Sequence, residues 1–202
     1  GTDKLPISGV GSVTVHPRNK MKWVVSTGDP DDKFMLSDGI WRTLDGGKSY
    51  QNINGIGGTE PSIHYLRQTF ISQVSAHPEH WSRLLFAGSE GLFLSQNADS
   101  DDPNEVVWEK IASSHFYDIE FHPNNPNLVF ASGEKMMVSR DGGLEWNKVR
   151  VPILADQLKY PFIRLSMECS IENPDLIWIV YTRATHFSQA QAGEAFLYKY
   201  SI

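Results

Sequence analysis

The residues of this chain that could do chemistry fall into a few clusters. Gly28-Asp29-Pro30-Asp31-Asp32-Lys33 sets Asp29, Asp31 and Asp32 within four positions. Clustered carboxylate oxygens are what a hard cation such as calcium wants. The stretch lacks a full calcium-loop pattern and reads instead as a solvated acidic turn, as do Asp99, Asp101 and Asp102. No metal and no cofactor is expected. His64, Tyr65 and Arg67 share one stretch, and Tyr160, Arg183 and His186 come from two others. Aromatic, arginine and histidine groups on one rim suit a sugar or a protein surface. Arg164 interrupts the apolar run PFIRLS. It serves either as a ligand contact or as half of a structural ion pair with a neighbouring carboxylate. Cys169 is the one cysteine, which excludes an internal disulfide framework and a zinc site built on several cysteines. It reads as a buried thiol rather than a nucleophile.

Such groups act only if something positions them, and the chain repeats itself to do so. His16-Pro17, His77-Pro78, His122-Pro123 and Asn173-Pro174 recur at spacings of 61, 45 and 51 residues. An apolar run follows each pair: Trp23–Val25, Leu84–Phe86, Leu128–Phe130 and Ile177–Val180. A second run follows each of those, at Gly39–Trp41, Gly91–Phe93, Met136–Val138 and Ala195–Tyr198. Short apolar or alternating runs between Gly, Pro, Asn and Asp are strand signals, and no stretch has a helix-length period. The first strands are expected at Val13–Val15, Ile71–Ser75, Tyr117–Phe121 and Phe162–Met167, and the fourth at Tyr50–Ile53, Val107–Ile111 and Trp146–Val149. Four strands per repeat of this length is the pattern of a β-propeller blade. The expected fold class is therefore all-β. A single propeller region covers 1–202, with blade-like repeats near 10–53, 70–111, 116–149 and 162–202.

Two repeats carry a further box after the third strand, Thr43-Leu44-Asp45-Gly46-Gly47-Lys48-Ser49-Tyr50 and Ser139-Arg140-Asp141-Gly142-Gly143-Leu144-Glu145-Trp146. In the second repeat it degenerates to Ser95-Gln96-Asn97, an acidic insertion, and Trp108, and the fourth stops before it. The box resembles the Asp-box, or BNR repeat, of sialidases, sortilin-type receptors, xyloglucan-degrading glycosidases and many bacterial surface propellers. The His-Pro and Asn-Pro-Asn pattern is most similar to the sortilin-type and xyloglucanase-type propellers. Such a fold hosts enzymes and receptors alike. Physically, Asp45 and Asp141 can accept N–H groups of their own turns. Gly46, Gly47, Gly142 and Gly143 can take positive φ, and Tyr50 and Trp146 can pack beneath. That makes the box a structural device. The His-Pro pairs, found once in each of three repeats, likewise read as turn chemistry.

In a four-stranded meander the connections after strands one and three share one end, and those after strands two and four share the other. The first end carries the short His-Pro and Asp-box turns. The second carries the long loops Gly28–Asp38, Asn54–Thr69, Arg150–Pro161 and Thr182–Glu194. Long loops on a rigid scaffold are where function concentrates, so the binding surface is expected there. The resemblance also implies that Arg164, in a first strand, lines the central channel. A sialidase would need an arginine triad, a tyrosine with a glutamate base, and a Phe-Arg-Ile-Pro signature, and PFIRLS is not that signature. The catalytic aspartate contexts of the xyloglucanase type are missing too. The expected function is non-catalytic recognition of a protein or glycan. The alternatives are a glycoside hydrolase fragment and a structural subunit of an envelope assembly.

Composition narrows the partners. Eighteen Lys and Arg against 24 Asp and Glu, a net charge of −6, argues against a nucleic-acid footprint or an anionic membrane surface. No apolar run reaches the ~20 residues of a membrane span. The chain opens at Gly1 rather than Met, so a processed or trimmed start is expected. The resemblance to Asp-box propellers implies a secreted, cell-surface or periplasmic location in a bacterial envelope. Four units, the last without its fourth strand, are few for a closed Asp-box propeller. Repeat arrays need neighbours or caps to bury their faces, so the remainder of a larger propeller is an expected partner.

Overall fold

The computed structural model describes residues 4–5, 9–28, 37–55, 70–149, 162–173, 175–183 and 194–202. They form three four-stranded antiparallel sheets and one three-stranded sheet, each in sequence order. No α-helix occurs among the described residues. A 3-10 turn, Pro103–Glu105, sits in the acidic insertion, where the Asp102 carboxylate accepts the Asn104 N–H. No helix among them is long and apolar enough to cross a membrane.

The chain divides into two compact units, Gly1–His115 and Phe116–Ile202. The first holds blade 1, made of β1 (Val10–Val15), β2 (Trp23–Thr27), β3 (Ile40–Thr43) and β4 (Gln51–Asn52). It also holds blade 2, made of β5 (Ile71–Ala76), β6 (Leu84–Gly88), β7 (Gly91–Ser95) and β8 (Glu109–Ala112). The second holds blade 3, made of β9 (Phe116–Phe121), β10 (Val129–Gly133), β11 (Met136–Ser139) and β12 (Asn147–Val149). Blade 4 follows, with β13 (Phe162–Cys169), β14 (Leu176–Arg183) and β15 (Glu194–Ser201). Inner strands begin three residues earlier than the sequence places them in blade 1. The fourth strands shrink, to Gln51–Asn52 in blade 1. A fourth strand pairs on one side only, so little holds its ends in the ladder.

Registers align the four blades residue for residue. Val15 pairs Trp23, Ala76 pairs Leu84, Phe121 pairs Val129 and Cys169 pairs Ile177. Alternation then gives every blade two faces. In the first unit, Val24 and Ile40 of blade 1 pack against Val74, Leu84, Phe86 and Phe93 of blade 2 in one buried cluster. Phe86 stacks on Phe93 with ring centroids 4.4 Å apart. In the second unit, Phe130, Met136 and Val138 of blade 3 meet Met167, Cys169, Ile177 and Ile179 of blade 4. Burial of these aliphatic and aromatic side chains, each contributing roughly 1.5–3 kcal/mol, joins the blades within a unit.

Candidate functional site

The short-turn end is built from polar groups satisfied by their own backbone. In blade 1 the Thr43 hydroxyl donates to Asp45 Oδ1 at 2.9 Å and accepts the Gly47 N–H at 2.9 Å. Asp45 in turn accepts the N–H groups of Lys48 and Ser49 and the Ser49 hydroxyl. Blade 3 repeats the wiring with Ser139, Asp141, Gly143, Leu144 and Glu145. Positive φ at Gly46, Gly47, Gly142 and Gly143 aims those N–H groups inward. Tyr50, half-buried, meets Trp23 edge-on, and the Trp146 indole N–H closes on the Gly143 carbonyl. The Ser49 hydroxyl and N–H groups hold the Asp45 carboxyl far below the usual carboxylate range. Partial burial pushes Asp141 up, but the Ser139 hydroxyl and the Glu145 and Leu144 N–H groups outweigh it and the net shift is downward. Carboxylates held ionised by donors on every side are poor proton shuttles.

Blade 2 keeps the device with an amide. Ser95 and Asn97 bond each other as Ser139 and Asp141 do, and Asn97 Oδ1 takes the Val107 N–H, ten residues on, across the insertion. Each of these turns also donates one N–H back to the preceding turn of its own blade: Gly46 to Met21 O, Ala98 to Ser82 O and Gly142 to Asn127 O, at 2.7–2.8 Å. Both turns therefore share one end, as strand parity requires. We expect Ser139→Ala to cost roughly 1–2 kcal/mol, because it orphans the buried Gly143 N–H. Urea unfolding measures it, and a neutral result would contradict the wiring.

The His-Pro histidines are turn residues as well. Nδ1 of His16 accepts the Arg18 N–H, Nδ1 of His77 accepts Glu79 and His80, and Nδ1 of His122 accepts Asn124. An accepting Nδ1 needs the neutral ring with its proton on Nε2. Burial, helped by Arg83 and His80, lowers the His77 pKa to about 4 from 6.5. A depressed folded-state value contributes stability that is present above pH 6.5 and lost as pH falls through about 4. His77→Asn should keep a turn acceptor while flattening that acid limb, which urea titrations between pH 4 and 7 would show.

At the opposite end, the described residues of blade 1 bond the end of β2, the start of β3 and the stretch after β4 to one another. The Thr27 hydroxyl donates to Gly39 O and accepts the Asp38 N–H. Ser37 Oγ accepts the Gly39 N–H at 2.7 Å. The Asn54 amide accepts the Ile40 N–H at 2.8 Å and donates to Asp38 O at 3.0 Å, beside an Asn52 amide bonded to the same carbonyl. Thr27, Ser37, Asn52 and Asn54 thus tie the end of β2, the residues before β3 and the residues after β4 to one another. Of the candidate binding residues, Asp29, Asp31, Asp32, His64, Tyr65, Arg67, Tyr160 and His186 lie outside the described residues. Arg164 and Arg183 belong to β13 and β14 and face each other's strands near the β-bulge at Phe162–Arg164, and their side chains lie outside the described set.

Two polar groupings escape a reading of the sequence. Arg42, buried between blades 1 and 2, bonds Gln51 Oε1 and the Ala98 carbonyl. Burial lowers its pKa, while Asp99 and Asp101 work the other way. The second grouping lies on the inner strands of the second unit. Asp118 accepts the Met167 N–H and Glu120 that of Cys169. Burial, then Glu168 and Asp118, push the Glu120 carboxyl up to about 7. Burial and the same three carboxylates push the Cys169 thiol up to about 12, which leaves it unreactive. The available signal was alternation: YDIEF and SMEC carry acids where the first two repeats carry Ser, Thr and Gln. Among the described residues, no group of three or more His, Cys, Asp or Glu is placed to hold a metal ion.

No family model matches the chain, and no curated protein matches it. Solved structures do. An ancestral GH74 enzyme superposes with a TM-score of 0.65 at 18% identity, over 95% of this chain and 24% of that one. YCF48 from Cyanidioschyzon merolae superposes with a TM-score of 0.54 at 13% identity, over 98% of this chain and 58% of that one. Both are β-propeller proteins. The fold of this chain is a β-propeller. The chain spans about a quarter of the first neighbour's length and 58% of the second's. At such identities the likeness is one of fold, and function has to be argued from the site.

Proposed function

We propose that this chain is a non-catalytic recognition module, part of a larger propeller of the Asp-box, sortilin-like or xyloglucanase-like kind. It works in a secreted, cell-surface or periplasmic setting of a bacterial envelope. It holds a protein or a glycan on the long-loop end through Asp29, Asp31, Asp32, His64, Tyr65, Arg67, Tyr160, Arg164, Arg183 and His186. It uses no cofactor and contacts neither nucleic acid nor a membrane interior. One observation supports this reading above others: at the short-turn end the acids and imidazoles are bonded to their own backbone. At the opposite end, Asn54 after β4 is bonded to Asp38 and Ile40 at the start of β3. Rigid anchoring of loop bases lowers the ordering cost of binding.

The likeness to a GH74 enzyme favours a second reading, a glycoside hydrolase fragment of xyloglucanase or sialidase type. Exposed apolar side chains on blade 4 favour a third, a structural subunit of an envelope assembly. A glycan array and co-purification from envelope extracts, run beside β-glucan and sialoside hydrolysis assays, separate the three. Binding without turnover that weakens at least tenfold in Tyr65→Ala and Arg67→Ala supports recognition. Hydrolysis abolished by Asp31→Asn overturns it in favour of the enzyme.

A further inference from the structure

Asn54-Gly55 is the one Asn-Gly pair in the sequence. Glycine after asparagine leaves the next backbone nitrogen unhindered, so such a pair is where an asparagine most readily cyclises on its own chain. The Gly55 nitrogen attacks Asn54 Cγ and loses its proton. An N–Cγ bond forms, and the Cγ–Nδ2 bond breaks with ammonia as the leaving group. Water then opens the succinimide at either carbonyl, which leaves aspartate or isoaspartate at position 54. Solvent water is the co-reactant, and no atom is oxidised or reduced.

The fold buries this pair at the junction of blades 1 and 2. Asn54 is only 3% exposed. Its Oδ1 accepts the Ile40 N–H and its Nδ2 donates to the Asp38 carbonyl. Its own backbone N–H goes to Asn52 Oδ1. Gly39 lies so close that a Cβ there would fall on the Asn54 amide. The preceding residue is pinned as well: the Ile53 N–H bonds Ile40 O, and Ile53 O accepts the Trp108 indole N–H. Gly55, at φ +73°, approaches the Val106 carbonyl so closely that a Cβ would collide with it. Cyclisation requires the carboxamide to leave β3 and turn Cγ towards the Gly55 nitrogen. It also requires water to reach the pair. A buried side chain bonded through both its polar atoms does neither while β3 and the stretch after β4 stay together.

We propose that Asn54 is a modification site gated by local opening of blade 1. It is protected from deamidation in the closed fold and becomes aspartate or isoaspartate when β3 and the stretch after β4 part. The conversion runs one way. Aspartate keeps an oxygen for the Ile40 N–H but sets a second, charged oxygen against the Asp38 carbonyl, where Nδ2 donated before. Two acceptors facing each other in a buried site repel, and neither has a donor. Isoaspartate inserts a methylene into the main chain between residue 54 and Gly55, which shifts Gly55 from its place against Val106. Either product weakens the tie that protected its precursor, so a chain that opens and reacts closes less well afterwards.

Ageing the full chain at neutral pH and mapping its peptides by mass spectrometry tests it. The chain unfolded in guanidinium chloride should convert Asn54 ahead of its other asparagines. The folded chain should convert it more slowly by about tenfold or more, the factor that closure of the site contributes. Ser37→Ala removes the acceptor of the Gly39 N–H, and Asn52→Ala removes that of the Asn54 N–H. Each should speed the reaction in the folded chain and leave the unfolded rate unchanged, with circular dichroism showing that the fold is kept. Asn54→Asp stands in for one product and should unfold at lower denaturant than the parent. Equal rates in the folded and unfolded chains overturn the protection, and an Asn54 that stays intact in the unfolded chain overturns the site. Unchanged folded-state rates in both loosened variants overturn the gating. An Asn54→Asp chain as stable as the parent overturns the loss of the tie.

Discussion

Replacing Glu120 by glutamine is expected to stabilise the second unit at pH 8 by about 2 kcal/mol, less than the full equivalent of its displaced titration because the carboxyl is partly solvated. Burial is the first cause of that displacement, and Glu168 and Asp118 add to it, carrying the carboxyl from 4.5 to about 7. A raised folded-state value means the folded protein favours the protonated acid. The associated stability is complete below pH 4.5 and is lost as pH rises through about 7. At pH 8 the folded state holds an ionised carboxylate beside two others. Glutamine removes that charge and keeps a carbonyl oxygen for the Cys169 N–H. Urea unfolding from pH 4 to 9 should show the parent falling through the neutral range and the variant flat across it. A Glu120→Gln chain no more stable than the parent at pH 8 would show that Glu120 is ionised at little cost. The sign is opposite to that of His77, whose contribution grows with pH between about 4 and 6.5. The two groups lie in different units, so unit-specific probes such as Trp23 and Trp178 separate them.

Gly39→Ala should cost about 3–5 kcal/mol, from left-handed strain plus lost buried hydrogen bonds. Gly39 sits at φ +96°, and a Cβ there would fall on the Asn54 amide. That amide cannot retreat cheaply, because it holds the Ile40 N–H and the Asp38 carbonyl. Asn54→Ala alone should cost less, about 2 kcal/mol, since it orphans buried backbone groups without straining φ. In the double variant the methyl enters the space the amide vacates, so its cost should be less than the sum of the two single-variant costs. The described stretches before β3 and after β4 would also separate. Any ligand bound through that end should then weaken even where the fold survives. Denaturant midpoints for the three variants check this, and a Gly39→Ala chain within 1 kcal/mol of the parent would remove the clamp from the argument.

The blades themselves are legible in the sequence because their determinants are local. Asp45 and Asp141 cap groups three and four residues on, and a histidine before proline caps groups two residues on. Strand, turn and strand therefore repeat wherever those residue types repeat, and parity alone places both turns at one end. Asn97 shows the limit of that locality, because its partner Val107 is ten residues away and the box pattern is lost on paper. Junctions between blades were not legible, because they join residues 49 to 62 positions apart. In the sequence, Asp118 and Glu120 are two acids alternating in a strand. Only packing against β13 makes both of them backbone caps and lifts the Glu120 titration towards neutrality. The same holds for Val13, Val15 and Trp178, ordinary core residues by type. Whether such a side chain is covered depends on which blade lies against it, and that is a property of the tertiary structure, not of the strand that carries it.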